Sequence, residues 1–367
     1  MTENSNRAKP AQTPVLRNNN SLLSGLANIL LPLGAILLAM LVGAIPIAIA
    51  GVSPLAAYRE LMIGAFGSKF GISETIVKSA PLILAGLGFA FAARCGLFNI
   101  GGEGQIYIGA LGTTLVGITV SGLSPWLAIP LAILVGGLFG GIWAAIPGAL
   151  KARFGISEVI TTIMFNYIGI NVVAYLIRGP LVEPPGYFPE TAMLSENTWY
   201  PMLFGSRIHF GIVVAVLFAI LIYVILWHTP LGYQVRAVGM NPFAAEYAGI
   251  KVKRNMVVAM LISGGLAGLA GTNEMLGIQH RLIEAFSPGY GFDAIAVSLL
   301  GQNHPLGIVL SGLLFSGLRA GAGAMQRAVG IPDAIVRTLQ GLVVLFVVAS
   351  AMLPQFIARR RSSRQEK

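Results

Sequence analysis

One carboxylate stands among glycines in the run Arg94-Cys95-Gly96-Leu97-Phe98-Asn99-Ile100-Gly101-Gly102-Glu103-Gly104-Gln105, with the amides of Asn99 and Gln105 beside it and an apolar stretch after it. A fixed charge at the centre of a bilayer costs about 2.5 kcal/mol or more, so Glu103 must face protein or water. Two arrangements meet that demand. The segment is either a broken helix lining a solute path, or a structural knot in which Glu103 takes up loose backbone amides. A second polar set is Glu158, Thr161, Thr162, Asn166 and Asn171, in which Glu158, Thr162 and Asn166 recur at about one helical turn. Such a stripe either lines a pore or holds helices together. A third set, Asn273, Glu274, Gln279 and His280, closes a later apolar stretch. It is either a contact for an arriving solute or donor protein, or a solvated loop edge.

The long polar passage in the middle of the chain that carries a coherent helix signal, within 228–254, contains Asn241-Pro242-Phe243-Ala244-Ala245-Glu246-Tyr247-Ala248-Gly249. Asparagine before proline predicts an N-cap with proline at the first helical position, and Gly249 predicts the stop. The short helix from Phe243 to Ala248 would set Phe243 and Tyr247 at i and i+4, among Arg236, Lys251, Lys253 and Arg254. That pattern suits an aromatic face pushed into a groove on a cytoplasmic partner. It equally describes an ordinary basic loop held inside by its charge.

Other chemistries find no support in the residues. No GxxxxGK[ST] loop is present to cradle nucleotide phosphates, and Ile262-Ser263-Gly264-Gly265-Leu266 reads as small residues for helix packing. His209, His228, His280 and His304 fall in separate segments and form no metal set, and Cys95 stands alone. No serine, histidine and carboxylate triad can be assembled, so an enzyme is not expected.

The elements that must position these residues are membrane helices. With 55% hydrophobic and 10% charged residues, and a mean hydropathy of +0.78, the chain has too little polar surface for a soluble globule of 367 residues. The net charge of +10 sits at the ends of apolar runs and in the tail, which indicates a membrane surface and no nucleic acid. Apolar stretches long enough to span fall near 26–50, 75–93, 100–120, 125–150, 158–177, 207–227, 255–275, 305–325 and 331–353. With both termini in the cytoplasm, as Arg359, Arg360, Arg361, Arg364 and Lys367 require of the second, an even number is needed. The short run 291–300 supplies it if surrounded by protein, giving an all-α polytopic membrane protein of about ten spans. The division is a tail over 1–25, a membrane region over 26–353 and a basic cytoplasmic tail over 354–367. Gly136 and Gly140, Gly137 and Gly141, Gly264 and Gly268, and Gly317 and Gly321 predict close helix contacts, while Pro32, Pro46, Pro81, Pro130 and Pro147 predict kinks or breaks.

The segments RCGLFNIGGEGQIYIGA, GYQVRAVGMNPFAAEYAGI and GYGFDAIAVSLLGQNHPLGIVLSGLLFSGL resemble those of permease subunits of ABC importers. The likeness is to the branched-chain amino acid and simple-sugar permease superfamily, nearest its nucleoside importer branch, over residues 75 to 350. The resemblance implies that 241–249 is the coupling helix that docks on a cytoplasmic ATPase, which would bind the ATP and magnesium while this chain holds no cofactor. It further implies a second, homologous permease subunit, an extracytoplasmic substrate-binding protein and the bacterial inner membrane. For a nucleoside the path would want Asn99, Gly101, Gly102, Glu103, Gln105 and Asn166 nearby, with Tyr107 or Phe165 to stack on the base. A simple sugar such as ribose or galactose is the alternative solute. An ion-coupled carrier would need a relay, for which Glu103, Glu158, Asp293 and Arg319 are scattered in sequence.

Overall fold

In hydrocarbon every backbone polar group must find its partner within the protein, and the chain answers with helices. A computed structural model describes residues 21–350 except Phe204, Ser206, Asp333, Val336, Val344, Val347 and Val348; of residues 21–33 and Ile36 only the backbone is described. The helices are α1 (Ser21–Ile49), α2 (Pro54–Phe66), α3 (Lys69–Arg94), α4 (Gly102–Thr119), α5 (Pro125–Phe154), α6 (Glu158–Arg178), α7 (Gly211–His228), α8 (Pro230–Met240), α9 (Pro242–Tyr247), α10 (Val252–Glu274), α11 (Tyr290–Leu300) and α12 (Pro305–Val329). A π-helical turn, Met275–Gln279, prolongs α10, and helical residues recur over 334–350. No β-strand occurs among the described residues. The basic tail over 354–367 and the first twenty residues lie outside them.

Six of these helices, α3, α5, α6, α7, α10 (with its π turn) and α12, are long and apolar enough to cross a bilayer. The first apolar stretch is bent by 114° between residues 37–49 and α2. The stretches read as 100–120, 291–300 and 331–353 fall on α4, on the eleven-residue α11 and on the helical residues 334–350. Prolines open α2, α5, α8, α9 and α12, where the missing N–H costs nothing. Pro81, Pro130 and Pro147 lie inside α3 and α5 without ending either.

Helix α3 is the axis of the bundle, with α7, α10, α11 and α12 packed around it and its apolar stretch buried. The predicted glycine contacts are present. A side chain at Gly140 would meet the backbone of Gly264 and Gly268, and Gly109 of α4 lies against Gly268 as well, so three backbones converge. Beside that point the hydroxyls of Thr113 and Thr272 lie 2.7 Å apart. Gly321 of α12 lies against the Leu61 carbonyl of α2, so that contact holds the bent pair to the bundle.

At one end of the bundle, Arg94 at the foot of α3 meets the carbonyls of Gln302 and Asn303, and Gly96 lies against Gly239 of α8. At the opposite end the loop between α6 and α7 is laced to the segment after α10. Leu194 N donates to His280 O at 2.8 Å, Thr191 N to Leu282 O at 3.0 Å, and Arg281 pairs with Glu190 at 2.7 Å and Glu183 at 3.3 Å. Buried beneath that loop, His209 accepts a hydrogen bond from Gly211 N at 3.1 Å. Burial, aided by the nearby His280, pushes its pKa down to about 4.

In the unfolded chain His209 would protonate near pH 6.5, so the unfolded state binds the extra proton between that value and about 4. Stability is therefore full above pH 6.5 and falls as pH drops toward 4, by about 3 kcal/mol at most. His280, also shifted downward by burial, acts in the same direction. Thermal unfolding in detergent at pH 7 and pH 5 should show a smaller loss for His209→Gln than for the unchanged protein. Equal losses would contradict the assignment.

Candidate functional site

Between α3 and α4 the chain leaves the helix at Cys95 and runs without helical hydrogen bonds to Gly101, buried for much of its length. Its loose backbone groups are met by side chains. Thr162 Oγ1 accepts from Ile100 N at 3.2 Å, Asn166 Nδ2 donates to Ile100 O at 2.7 Å, and Asn166 Oδ1 accepts from Gly104 N at 2.7 Å. Asn99 Oδ1 accepts from Gly101 N at 2.9 Å and from Gln105 Nε2 at 3.0 Å, while its Nδ2 donates to Gln105 Oε1 at 3.0 Å and Ser263 Oγ at 2.9 Å. The SGG sequence in α10 is thus a packing surface that also supplies a hydroxyl.

Glu103 belongs to the first turn of α4 and reaches the first turn of α11, where its carboxylate accepts from Gly291 N at 2.7 Å. The two helix starts can touch because both residues at the crossing are glycine: a side chain at Gly291 would strike the backbone of Gly102 and Glu103. The carboxyl group of Glu103 therefore stands at the first turns of both helices, a position that favours an acidic side chain. Around it lie Asp293, paired with Arg319 at 2.8 Å, and Tyr290, whose ring lies 5.0 Å from the Arg319 guanidinium and whose hydroxyl meets Glu274. Arg319 also donates to Pro288 O at 3.0 Å. A cavity of about 170 Å³ opens here, lined by Lys78, Tyr290, Arg319, Arg337 and Gln340 among others.

The polar set of α6 divides between two faces. Thr162 and Asn166 point inward and hold the non-helical segment, whereas Asn171 points outward between Tyr167 and Tyr175, which are 62% and 72% exposed. Asn171 Nδ2 donates to the Tyr167 carbonyl of its own helix at 2.7 Å. At the other candidate surface, Asn241 caps α9, its Oδ1 accepting from Phe243 N at 3.0 Å and Ala244 N at 3.1 Å. Pro242 stands at the first position, Ala245 is buried against the bundle, and Gly249 ends the turn at φ +81°. Phe243 and Tyr247 are 83% and 98% exposed. Glu246 lies on the exposed side with them.

Asn99, Gly101, Gly102, Glu103, Gln105 and Asn166 are therefore brought together, but their polar groups are committed to backbone and to one another. Tyr107 is buried against Phe286 at 4.6 Å between ring centres, and Phe165 meets Trp143 at 5.3 Å. Asn273 and Glu274 are buried too, which replaces the solvated-edge expectation; His280 stacks on Trp199 at 4.0 Å. Of the four ionisable residues scattered in sequence, Glu103, Asp293 and Arg319 gather at the start of α11, while Glu158 pairs with Lys151 at 2.9 Å. Asn171 stood in the polar set, but Tyr167 and Tyr175, four residues to either side of it, were not singled out, although the spacing was available.

Replacing Asn166 by leucine keeps the branched shape and strips both bonds, leaving Gly104 N and Ile100 O unpaired at about 1 to 3 kcal/mol each. Asn171→Leu loses only a bond to its own helix. Apparent melting temperatures in detergent should fall by several degrees for the first and little for the second. Equal falls would contradict the structural role.

Residues 71–348 match the family model described as branched-chain amino acid transport system / permease component. The guanosine ABC transporter permease protein NupP of Bacillus subtilis (strain 168) is 40% identical over 329 residues, 89% of this chain and 94% of that protein. The nucleoside ABC transporter permease protein NupB of Lactococcus lactis subsp. cremoris is 36% identical, covering 92% and 97%. The glucose ABC transporter permease protein TsgB13 of Haloferax volcanii is 36% identical, covering 89% and 88%. The match of the family model over residues 71–348 and of these permeases over most of the chain places it in the family of branched-chain amino acid transport system permease components, as a multi-pass transport subunit and not an enzyme.

Proposed function

We propose that the chain is the permease subunit of an ATP-driven importer for nucleosides, crossing the inner membrane ten times with both termini in the cytoplasm. The observation that carries the coupling role is α9, a rigidly capped short helix whose two aromatic residues, Phe243 and Tyr247, have nothing to cover them. An ATPase groove of matching shape would bury both. The chain contains no phosphate-cradling loop, so ATP and magnesium belong to that partner. Nucleotide-driven movement of the groove would pull on α8 and α9, and α8 touches the foot of α3 through Gly239 and Arg94. The bundle would then rock as a body between outward and inward openings, with the solute passing between this chain and a second, homologous permease. An extracytoplasmic binding protein would deliver the solute to the loop between α6 and α7.

The solute-facing surface is the outward face of α6. Tyrosines flanking an exposed amide in a membrane helix are costly against lipid and well suited to a water-filled path. Tyr167 and Tyr175 would stack on a base, while Asn171 would hydrogen-bond to it. The names of the relatives favour nucleosides, with a simple sugar as the second reading because a glucose permease is similar at comparable identity.

Changing Phe243 and Tyr247 together to serine removes anchors worth about 2 kcal/mol or more each and leaves the loop's charge untouched. The double variant should insert normally, lose co-purification with its ATPase and lose uptake of labelled nucleoside. Full uptake with the ATPase retained would contradict the docking role.

A further inference from the structure

We infer that the groove along α5 and α10 is a binding site for an anionic phospholipid, with its headgroup at Arg153, Lys253 and Arg254 and an acyl chain laid toward α7. Near the end of the bundle that carries α9, a groove of about 730 Å³ lies between the last turns of α5 and the start of α10. Its walls are aliphatic, including Ile146, Ala149 and Val257, and its cations are those three side chains. At Ile142 it joins a second groove of about 500 Å³ between α5, α7 and α10, lined by aliphatic side chains, Phe218 and the glycines Gly137, Gly141 and Gly265. From Arg254 to Leu269 the axis of α10 rises about 22 Å, more than the roughly 15 Å of hydrocarbon in one leaflet.

Charge decides the occupant. Lys151, two residues before Arg153, is neutralised by Glu158 at 2.9 Å, whereas Arg153, Lys253 and Arg254 have no ion pair among the described residues. The first turn of α10 carries no acidic residue either. Three like charges at one end of an otherwise apolar channel match an amphiphile with a negative head and a long tail. A partner helix would meet neither polar groups nor charge of the opposite sign along the channel.

The test uses the full-length chain in detergent and native mass spectrometry with dioleoylphosphatidylglycerol and, in parallel, dioleoylphosphatidylcholine, which share their chains and differ in headgroup charge. Phosphatidylglycerol should be retained on the order of tenfold or more over phosphatidylcholine. Arg153→Gln, Lys253→Gln and Arg254→Gln together should bring that ratio near one. Ala149→Phe, a change at an exposed wall position, should reduce retention of both lipids. A ratio near one in the unchanged protein, or a preference that survives the triple substitution, would overturn the proposal. So would efficient disulfide formation between copies carrying Leu138→Cys, because a second copy would then cover the groove.

Discussion

Two chain breaks meet in the interior of this bundle, and a single carboxylate holds them. Helix α4 starts from a non-helical segment and α11 starts from another, and each start leaves amide groups that the helix itself does not pair. Glu103 lies in the first turn of one and accepts from Gly291 in the first turn of the other. An acidic side chain is favoured at both N-termini, and Gly102 and Gly291 allow the close approach that brings Glu103 there. Just past the far end of α11, Arg94 meets the carbonyls of Gln302 and Asn303, so this short helix has an acidic group at its start and a cation beyond its finish.

That constraint determines what is left for transport. The amides of Asn99 and Asn166 are engaged with the backbone around the break, and that of Gln105 with Asn99. The surfaces that the bundle leaves uncovered are the Tyr167, Asn171 and Tyr175 face of α6 and the aromatic face of α9, and to these the proposed function assigns solute contact and coupling. The Asp293 and Arg319 pair, with Tyr290 and Glu274, ties α12 and α10 to the same crossing and extends the rigid centre toward the opposite end.

Much of this was legible from residue types alone. The cap at Asn241, the stop at Gly249 and the aromatic pair of α9 follow from local chemistry, and local chemistry survives folding. The glycine contacts of α5 and α10 were readable for the same reason, since spacing of four on a helix fixes a face. Less of the polar interior could be read. Whether Asn166 faces a solute or a backbone amide depends on where Gly104, sixty-two residues earlier, lies in space. The ionisable residues looked scattered because sequence distance hides the crossing of α4 and α11. Spacing does separate Asn171 from Asn166, which are five residues apart and so on different faces of α6, and the polar stripe runs through Glu158, Thr162 and Asn166 without Asn171.

Helix α6 has an inward face that holds backbone and an outward polar face, and the proposed solute path depends on that division. Cysteine labelling tests it directly, since Cys95 is buried and gives little background. In the assembled transporter, Asn171→Cys should react with a membrane-impermeant maleimide and be protected by nucleoside, while Asn166→Cys should stay unreactive. Solute-protected labelling at position 166 with none at 171 would contradict the account.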